Sequence, residues 1–179
     1  MEFEEGSLRV RPLRGGDALI LCRWLNDPRV LTFYEGRDKP HNIHMVRRRF
    51  LSKTDPNQVL GHLVLWNGSP LGYIQTYFLK EETITGFRYS GRNRVYGMDL
   101  FLGEPKRWNQ GIGTILVRVM TNRLVKESGA SVIVVDPRID NLRAIHVYEK
   151  CGFKKVALLA KHELHEGQYR DCWLMNFRA

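Results

Sequence analysis

The stretch that most narrows what this chain can fold into is Trp108-Asn109-Gln110-Gly111-Ile112-Gly113-Thr114. A strand-like run, Val95-Tyr96-Gly97-Met98-Asp99-Leu100-Phe101-Leu102, comes before it, and an amphipathic helix is expected after it over 115–126. A glycine-bearing turn from strand to helix gathers several backbone N–H groups and the positive end of the helix dipole at one point, which suits a pyrophosphate. Two glycines at this spacing are a weak signal when they stand alone. A second segment, Asn141-Leu142-Arg143-Ala144-Ile145-His146-Val147-Tyr148-Glu149-Lys150-Cys151-Gly152-Phe153, reads as another helix, ended by Gly152. Between the two lies Ser131-Val132-Ile133-Val134-Val135, a continuous β-branched run of the kind buried on both faces of a parallel sheet.

The remaining elements fall around this crossover. Leu8-Arg9-Val10-Arg11-Pro12 alternates as a short strand, and Gly16-Asp17 opens a helix through Leu25, with Leu19, Ile20, Trp24 and Leu25 on one face. Pro28 starts a short helical piece to Tyr34, and a further helix is expected over 42–51. The loop Thr54-Asp55-Pro56-Asn57 leads to strands over 59–66 and 70–78, joined at Asn67-Gly68, where both central turn residues must tolerate positive φ. Residues 80–94 are polar and read as a long loop placed to cover a site. Asp136-Pro137 stops the β-branched strand, and Asp140 is expected to cap the helix that follows. Strands over 153–159 and 172–177 are joined by the polar arm His162-Glu163-Leu164-His165-Glu166-Gly167. The pattern predicts one α/β (α+β) domain over 1–179, with a mixed central sheet of about six to seven strands and helices on both faces.

Composition sets the outer limits. A chain of 179 residues, 43% apolar, can build one well-cored domain and is short for two. No apolar run approaches the roughly 18 residues that cross a bilayer, so no membrane role is expected. The acidic start Met1-Glu2-Phe3-Glu4-Glu5 lacks the parts of a signal peptide. Cys22, Cys151 and Cys172 show no metal-binding or disulfide spacing, which favours a reducing cytoplasm. The net charge of +9 calls for an anionic partner or serves solubility. Arg47-Arg48-Arg49 and the Arg88, Arg92, Arg94 group are candidate nucleic-acid contacts. They fall on a helix and in a polar loop, where solvated faces are commoner, so nucleic acid is the lesser expectation. Lys106, Arg107 and Arg118 flank the glycine turn and would serve a small phosphate-bearing ligand.

Gly111 and Gly113, paired with 141–153, resemble the GNAT superfamily of acyl-CoA-dependent N-acetyltransferases; Trp108 stands where the superfamily usually has Gln or Arg, at a position that mostly contributes a backbone N–H. A narrower resemblance covers nearly the whole chain. Trp24-Leu25-Asn26-Asp27, Phe33-Tyr34-Glu35-Gly36-Arg37-Asp38, Tyr96-Gly97-Met98-Asp99, Gly103-Glu104-Pro105, Asp136-Pro137 and the arm 162–167 look like the aminoglycoside 6′-N-acetyltransferases. Among these, the match is to the acetylating half of the bifunctional acetyltransferase–phosphotransferase type, with no kinase half expected in this chain. Leu100 replaces a common Gln, and Glu35 a frequent Gly.

The resemblance implies acetyl-CoA as co-substrate, no metal, and an aminoglycoside as acceptor, in a monomer or homodimer. It implies that Asp99 holds the substrate 6′-amine and acts as base, directly or through water. An ordinary Asp, with a pKa of about 3.9, is a weak base for an ammonium, which favours positioning and electrostatics over proton removal. Tyr148, two helical turns after Asn141, is implied to give a proton to the departing thiolate; as a plain core aromatic it would pack at the Val147/Phe153 corner. Backbone groups of Leu100, Phe101 and Leu102 are implied to hold the oxyanion and the pantetheine arm, and Gln110, Gly111, Ile112, Gly113 and Thr114 the pyrophosphate, with Arg107 beside them. Asn141 either bonds pantetheine or caps its helix. Asp136 either receives a second drug amine or turns the chain before Pro137. Tyr34 is a candidate for stacking on a sugar ring, and Trp24 for the core. Glu163 and Glu166 face the drug or a second subunit, or serve solubility alone. His162 and His165 resemble a metal pair only superficially, and Cys151 is not expected to be a nucleophile.

Rival functions remain at this point. One is acetylation of another amine: a ribosomal-protein N-terminus, a polyamine, or a hydroxylysine in siderophore synthesis. The other is a non-catalytic coenzyme A- or RNA-binding module.

Overall fold

Leu8 and Val10 are fully buried while Arg9 between them is exposed, so the alternation at 8–12 does place one strand face inward. The computed structural model describes residues 1–52, 59–80, 89 and 93–179. The expected loop Thr54-Asp55-Pro56-Asn57, Arg88 and Arg92, and most of the 80–94 loop lie outside the described residues.

The strands are β1 (Phe3–Glu5), β2 (Leu8–Pro12), β3 (Leu60–Trp66), β4 (Ser69–Phe78), β5 (Val95–Leu102), β6 (Val132–Val135), β7 (Lys154–His165) and β8 (Gln168–Arg178). They form one mixed eight-stranded sheet in the order β1-β2-β3-β4-β5-β6-β8-β7. Among the described residues the α-helices are α1 (Ala18–Trp24), α2 (Pro28–Leu31), α3 (Ile43–Phe50), α4 (Ile112–Ser128) and α5 (Leu142–Lys150). No helix among them is long and apolar enough to cross a membrane.

The chain groups into two compact units: 1–75 with 99–110, and 76–98 with 111–179. In the first, β1 pairs antiparallel with β2, and β2 with β3. Asn67 and Gly68, with φ of 48° and 75°, make the β3–β4 turn that the sequence demands. The core of this unit gathers Ala18, Leu21, Trp24 and Leu25 of α1 and its C-cap with Val30, Val46, Leu63, Tyr73 and Phe101. Leu19, expected on the inner face, is 73% exposed, and Leu21 takes that place. The helix starts at Ala18, after a 3-10 turn over Gly15–Asp17; Ala18, Leu21, Trp24 and Leu25 share one side of it, and Leu19 falls opposite them.

In the second unit, β5 pairs parallel with β6 through Val95↔Val132, Tyr96↔Ile133 and Gly97↔Val134, and α4 is the connecting crossover. Val132, Ile133, Val134 and Val135 are all buried, as a strand covered on both faces requires. β8 pairs antiparallel with β6 and with β7. Gly152, with φ of 89°, follows the C-cap of α5 as expected.

Candidate active site

Asp99 sits in β5, half-buried after the fully buried Met98. Its Oδ2 accepts a hydrogen bond from Gln75 Nε2 at 2.7 Å, and Gln75 Oε1 accepts one from the Tyr73 hydroxyl at 2.7 Å. Tyr73 and Gln75 both belong to β4. The ring of Tyr34 lies 4.6 Å from that of Phe101, so one of its faces is already occupied by protein. Burial, reinforced by Tyr73 and by the negative charges of Asp99 and Glu35, holds the Tyr34 phenol well above its ordinary pKa, against the opposing charge of Arg49. Tyr34 is therefore a hydrogen-bond donor at neutral pH. Glu35 adopts φ of 70° and pairs with Arg49 at 2.6 Å. This left-handed backbone is one that glycine adopts more readily than glutamate. A half-buried carboxylate within electrostatic reach of the Tyr34 phenol can receive an ammonium group.

Gln75 and Tyr73 are absent from the sequence-based site. The signal was there: in Gly72-Tyr73-Ile74-Gln75 the period of two puts the phenol and the amide on one face of a strand. What the sequence does not reveal is that this face meets Asp99.

After Asp99 the main chain of β5 approaches β4 closely. A Cβ at Gly72 would overlap Phe101 O, and Gly103 N–H donates to Leu71 O at 2.8 Å. The Phe101 ring is buried with Trp24, Tyr34 and Tyr73. Leu102 O accepts the indole N–H of Trp108 at 2.8 Å. The Trp108 backbone N–H is spent on Pro105 O at 3.2 Å. The amide expected at this position of the signature is thus turned into the preceding 3-10 turn (Pro105–Arg107), and the tryptophan side chain fastens that turn to β5. Lys106, Arg107 and Gln110 are exposed, with Gln110 Nε2 donating to Lys106 O at 2.9 Å.

In the second unit, α4 begins at Ile112, three residues before the expected start, so Gly113 and Thr114 form its first turn. Gly111 is the N-cap, at φ of 78° and with no side-chain cap. The first helical hydrogen bond runs from Ile115 N–H to Gly111 O at 3.1 Å, which leaves the Ile112, Gly113 and Thr114 amides without a carbonyl in the helix. A Cβ at Gly111 would meet no protein atom within 4 Å. Open space over Gly111, a bare first turn and the dipole of a 17-residue helix fit a pyrophosphate.

Asn141 caps α5: its side-chain oxygen accepts from Ala144 N–H at 3.2 Å. Asp140, expected as that cap, instead pairs with Arg138 at 2.7 Å. Tyr148 is buried, with its ring 5.6 Å from Phe153. Cys151 Sγ donates to Thr114 O at 3.4 Å, fastening α5 to the first turn of α4, and burial pushes its thiol up, away from nucleophilic use. Burial likewise pushes Cys172 up to about 12.

The arm 162–167 is a continuation of β7 with its turn at Glu166 and Gly167, not a separate segment. His162 Nε2 lies 3.0 Å from Asp136 Oδ2, and that hydrogen bond raises the imidazole above its ordinary value despite partial burial. The buried His165 has Nδ1 3.2 Å from Glu163 Oε1 and Nε2 3.9 Å from Glu166 Oε1. Asp136, Glu163 and Glu166 thus each face a histidine. Among the described residues no group of three or more His, Cys, Asp or Glu could hold a metal ion.

Residues 15–160 match the acetyltransferase (GNAT) domain family. The aminoglycoside N(6′)-acetyltransferase type 1 of Klebsiella pneumoniae is 30% identical over 158 residues, which span 83% of this chain and 75% of that protein. A solved aminoglycoside acetyltransferase in complex with coenzyme A and kanamycin superposes with a TM-score of 0.74 at 25% identity, covering 96% of this chain and 95% of that one. The N(6)-hydroxylysine O-acetyltransferase of Escherichia coli is 28% identical over 142 residues, 78% of this chain and 44% of that protein.

Proposed function

Because the chain belongs to the GNAT acetyltransferase family, we propose that it transfers the acetyl group of acetyl-CoA to the 6′-amine of aminoglycosides, and so confers resistance to them. The observation that carries this reading is the half-buried carboxylate of Asp99, held by Gln75 and within electrostatic reach of the Tyr34 phenol. A peptide N-terminus needs one such carboxylate; a polycationic sugar rewards further acids as well.

Each residue then has a chemical task. The amides of Gln110 to Thr114, with Arg107, hold the pyrophosphate of acetyl-CoA; Asn141 and the main chain of Leu100, Phe101 and Leu102 hold its pantetheine arm and carbonyl oxygen. An amine attacks only as the neutral base, and most alkyl ammonium is protonated near neutrality. Asp99 holds that ammonium in place while its proton passes to water. A C–N bond forms to the carbonyl carbon, the C–S bond breaks, Tyr148 gives its phenolic proton toward the leaving sulfur, and the second proton shed by the amide nitrogen restores the phenol through solvent. Asp99, Tyr34, Asp136 and Glu163 are the proposed drug contacts. The three free thiols suit a reducing cytoplasm.

Thiol release on mixing acetyl-CoA with kanamycin, compared with a drug bearing a 6′-hydroxyl, tests the reading. Rapid release with the amine drug and little with the hydroxyl drug is expected. Equal rates would contradict the assigned position. The hydroxylysine O-acetyltransferase among the relatives makes a hydroxylamine acceptor the natural comparison substrate.

A further inference from the structure

Tyr73 and Gln75 stand two residues apart on β4, and their side chains leave the same face of the strand. The Tyr73 hydroxyl donates to Gln75 Oε1 at 2.7 Å, and Gln75 Nε2 donates to Asp99 Oδ2 at 2.7 Å. A glutamine amide has one accepting end and one donating end. With its oxygen taken by the phenol, its NH2 is committed to the carboxylate. The phenol cannot drift: Tyr73 is 2% exposed, its ring stands at 90° to Phe50 at 5.2 Å, and Phe101 lies 5.7 Å away. Its hydroxyl also needs a glycine neighbour, since a Cβ at Gly61 would come within 2.9 Å of Tyr73 Oη. A buried aromatic, a glycine that admits its hydroxyl and an amide of fixed sense converge on one carboxylate oxygen.

We infer that Tyr73 and Gln75 are positioning residues for Asp99: the relay sets the rotation of the carboxylate that receives the substrate ammonium. The inference rests on the proposed role of Asp99, but it is independent of which amine is acetylated. The relay fixes which way the carboxylate oxygens of Asp99 face, which is what orienting a bound cation requires. Neither Tyr73 nor Gln75 is a catalytic residue in this scheme; both act through Asp99.

The test combines steady-state kinetics with NMR of the 15N-labelled full chain. Gln75→Leu removes the donor at similar volume. Its kcat is expected to fall on the order of ten- to a hundredfold with the KM for acetyl-CoA unchanged, because a small misplacement of a reacting group is enough for such losses. Gln75→Glu keeps the shape but donates only when protonated, beside a carboxylate that favours its protonation. Its deficit relative to the parent enzyme should shrink as the pH is lowered, whereas that of Gln75→Leu should not; a merely structural role would not separate the two. Tyr73→Phe, which removes one oxygen atom, carries the same test with a smaller loss if Gln75→Leu does not fold.

Independently of turnover, the side-chain amide resonances of Gln75 should shift in both Tyr73→Phe and Asp99→Asn. If Asp99→Asn is inactive while both Gln75 variants keep the parental kcat, the relay is overturned and the role of Asp99 stands. If Asp99→Asn keeps full activity, the amine-binding role itself fails, and the positioning role with it. Gln75 amide resonances that ignore both substitutions would overturn the relay whatever the kinetics show.

Discussion

Asp99 and Tyr148 carry opposite duties in the proposed transfer, and single substitutions separate them. Asp99→Asn should lower kcat on an amine acceptor by at least about a hundredfold, as loss of a charged substrate-orienting group commonly does, while acetyl-CoA binding measured by calorimetry stays near the parental value. Equal loss of both would remove Asp99 from the amine end. Elsewhere single atoms decide stability. A Cβ at Gly103 would overlap the indole of Trp24, which is 1% exposed and whose Nε1 donates to Glu104 at 2.8 Å. Gly103→Ala should cost about 1–3 kcal/mol by overpacking, read as a lower urea midpoint. Asp17 offers a pH test. Burial opposes its ionisation, but the two bonds from Arg11 at 2.7 and 2.8 Å and the Arg14 N–H at 2.7 Å outweigh it and hold the carboxyl below its usual range. Its contribution is therefore full above the ordinary carboxylate pKa of about 3.9 and is lost as the pH falls through the lower folded value. In Asp17→Asn that acid-side loss should be absent from the stability curve, and stability near neutrality should already be lower.

At the level of elements, the glycine turn, the β-branched β6 and the Asn67-Gly68 hairpin were legible because each rests on a local rule: a turn φ, a strand period, a helix end. Element ends were less legible. Asp140 and Asn141 are both good caps by type, and only the pairing of Asp140 with Arg138 decides for Asn141. β7 reaches His165, well past the apolar run that suggested a stop, because β8 supplies its hydrogen bonds through Glu163↔Arg170 and His165↔Gln168. β1, with only Phe3 buried, carries too short a pattern to read without its partner β2. The candidate site shows the same division: Asp99 was legible from its place before the glycine turn, while Tyr73 and Gln75 required the pairing of neighbouring strands. The β7 arm also yields a prediction. The His162 imidazole should titrate above its ordinary value in NMR, because Asp136 accepts from its charged form, and Asp136→Asn should bring it down. The stabilisation that His162 gains is present below its unfolded pKa and fades as the pH rises through the folded one. An unchanged titration in Asp136→Asn would show that the pair does not persist in solution.

Across the molecule, a net charge of +9 pulls the two proposed substrates in opposite directions. It attracts the phosphates of acetyl-CoA and repels a polycationic drug, both screened beyond the Debye length of about 8 Å at physiological salt, so the proposed receptor Asp99 must act at short range. Raising the ionic strength should therefore raise the KM for acetyl-CoA; a KM that ignores salt would deny the overall charge any part in its capture. Acetyl transfer is secure at the level of the family, and the acceptor is what the proposal adds. The most direct measurement is a side-by-side assay of aminoglycosides, polyamines, N-terminal peptides and hydroxylysine with acetyl-CoA, reading thiol release and the mass and acylation site of each product. The predicted result is fastest turnover on 6′-amino aminoglycosides, with the acetyl group on that nitrogen. Preferred turnover of any other acceptor, or an acetyl group at another drug position, would contradict it.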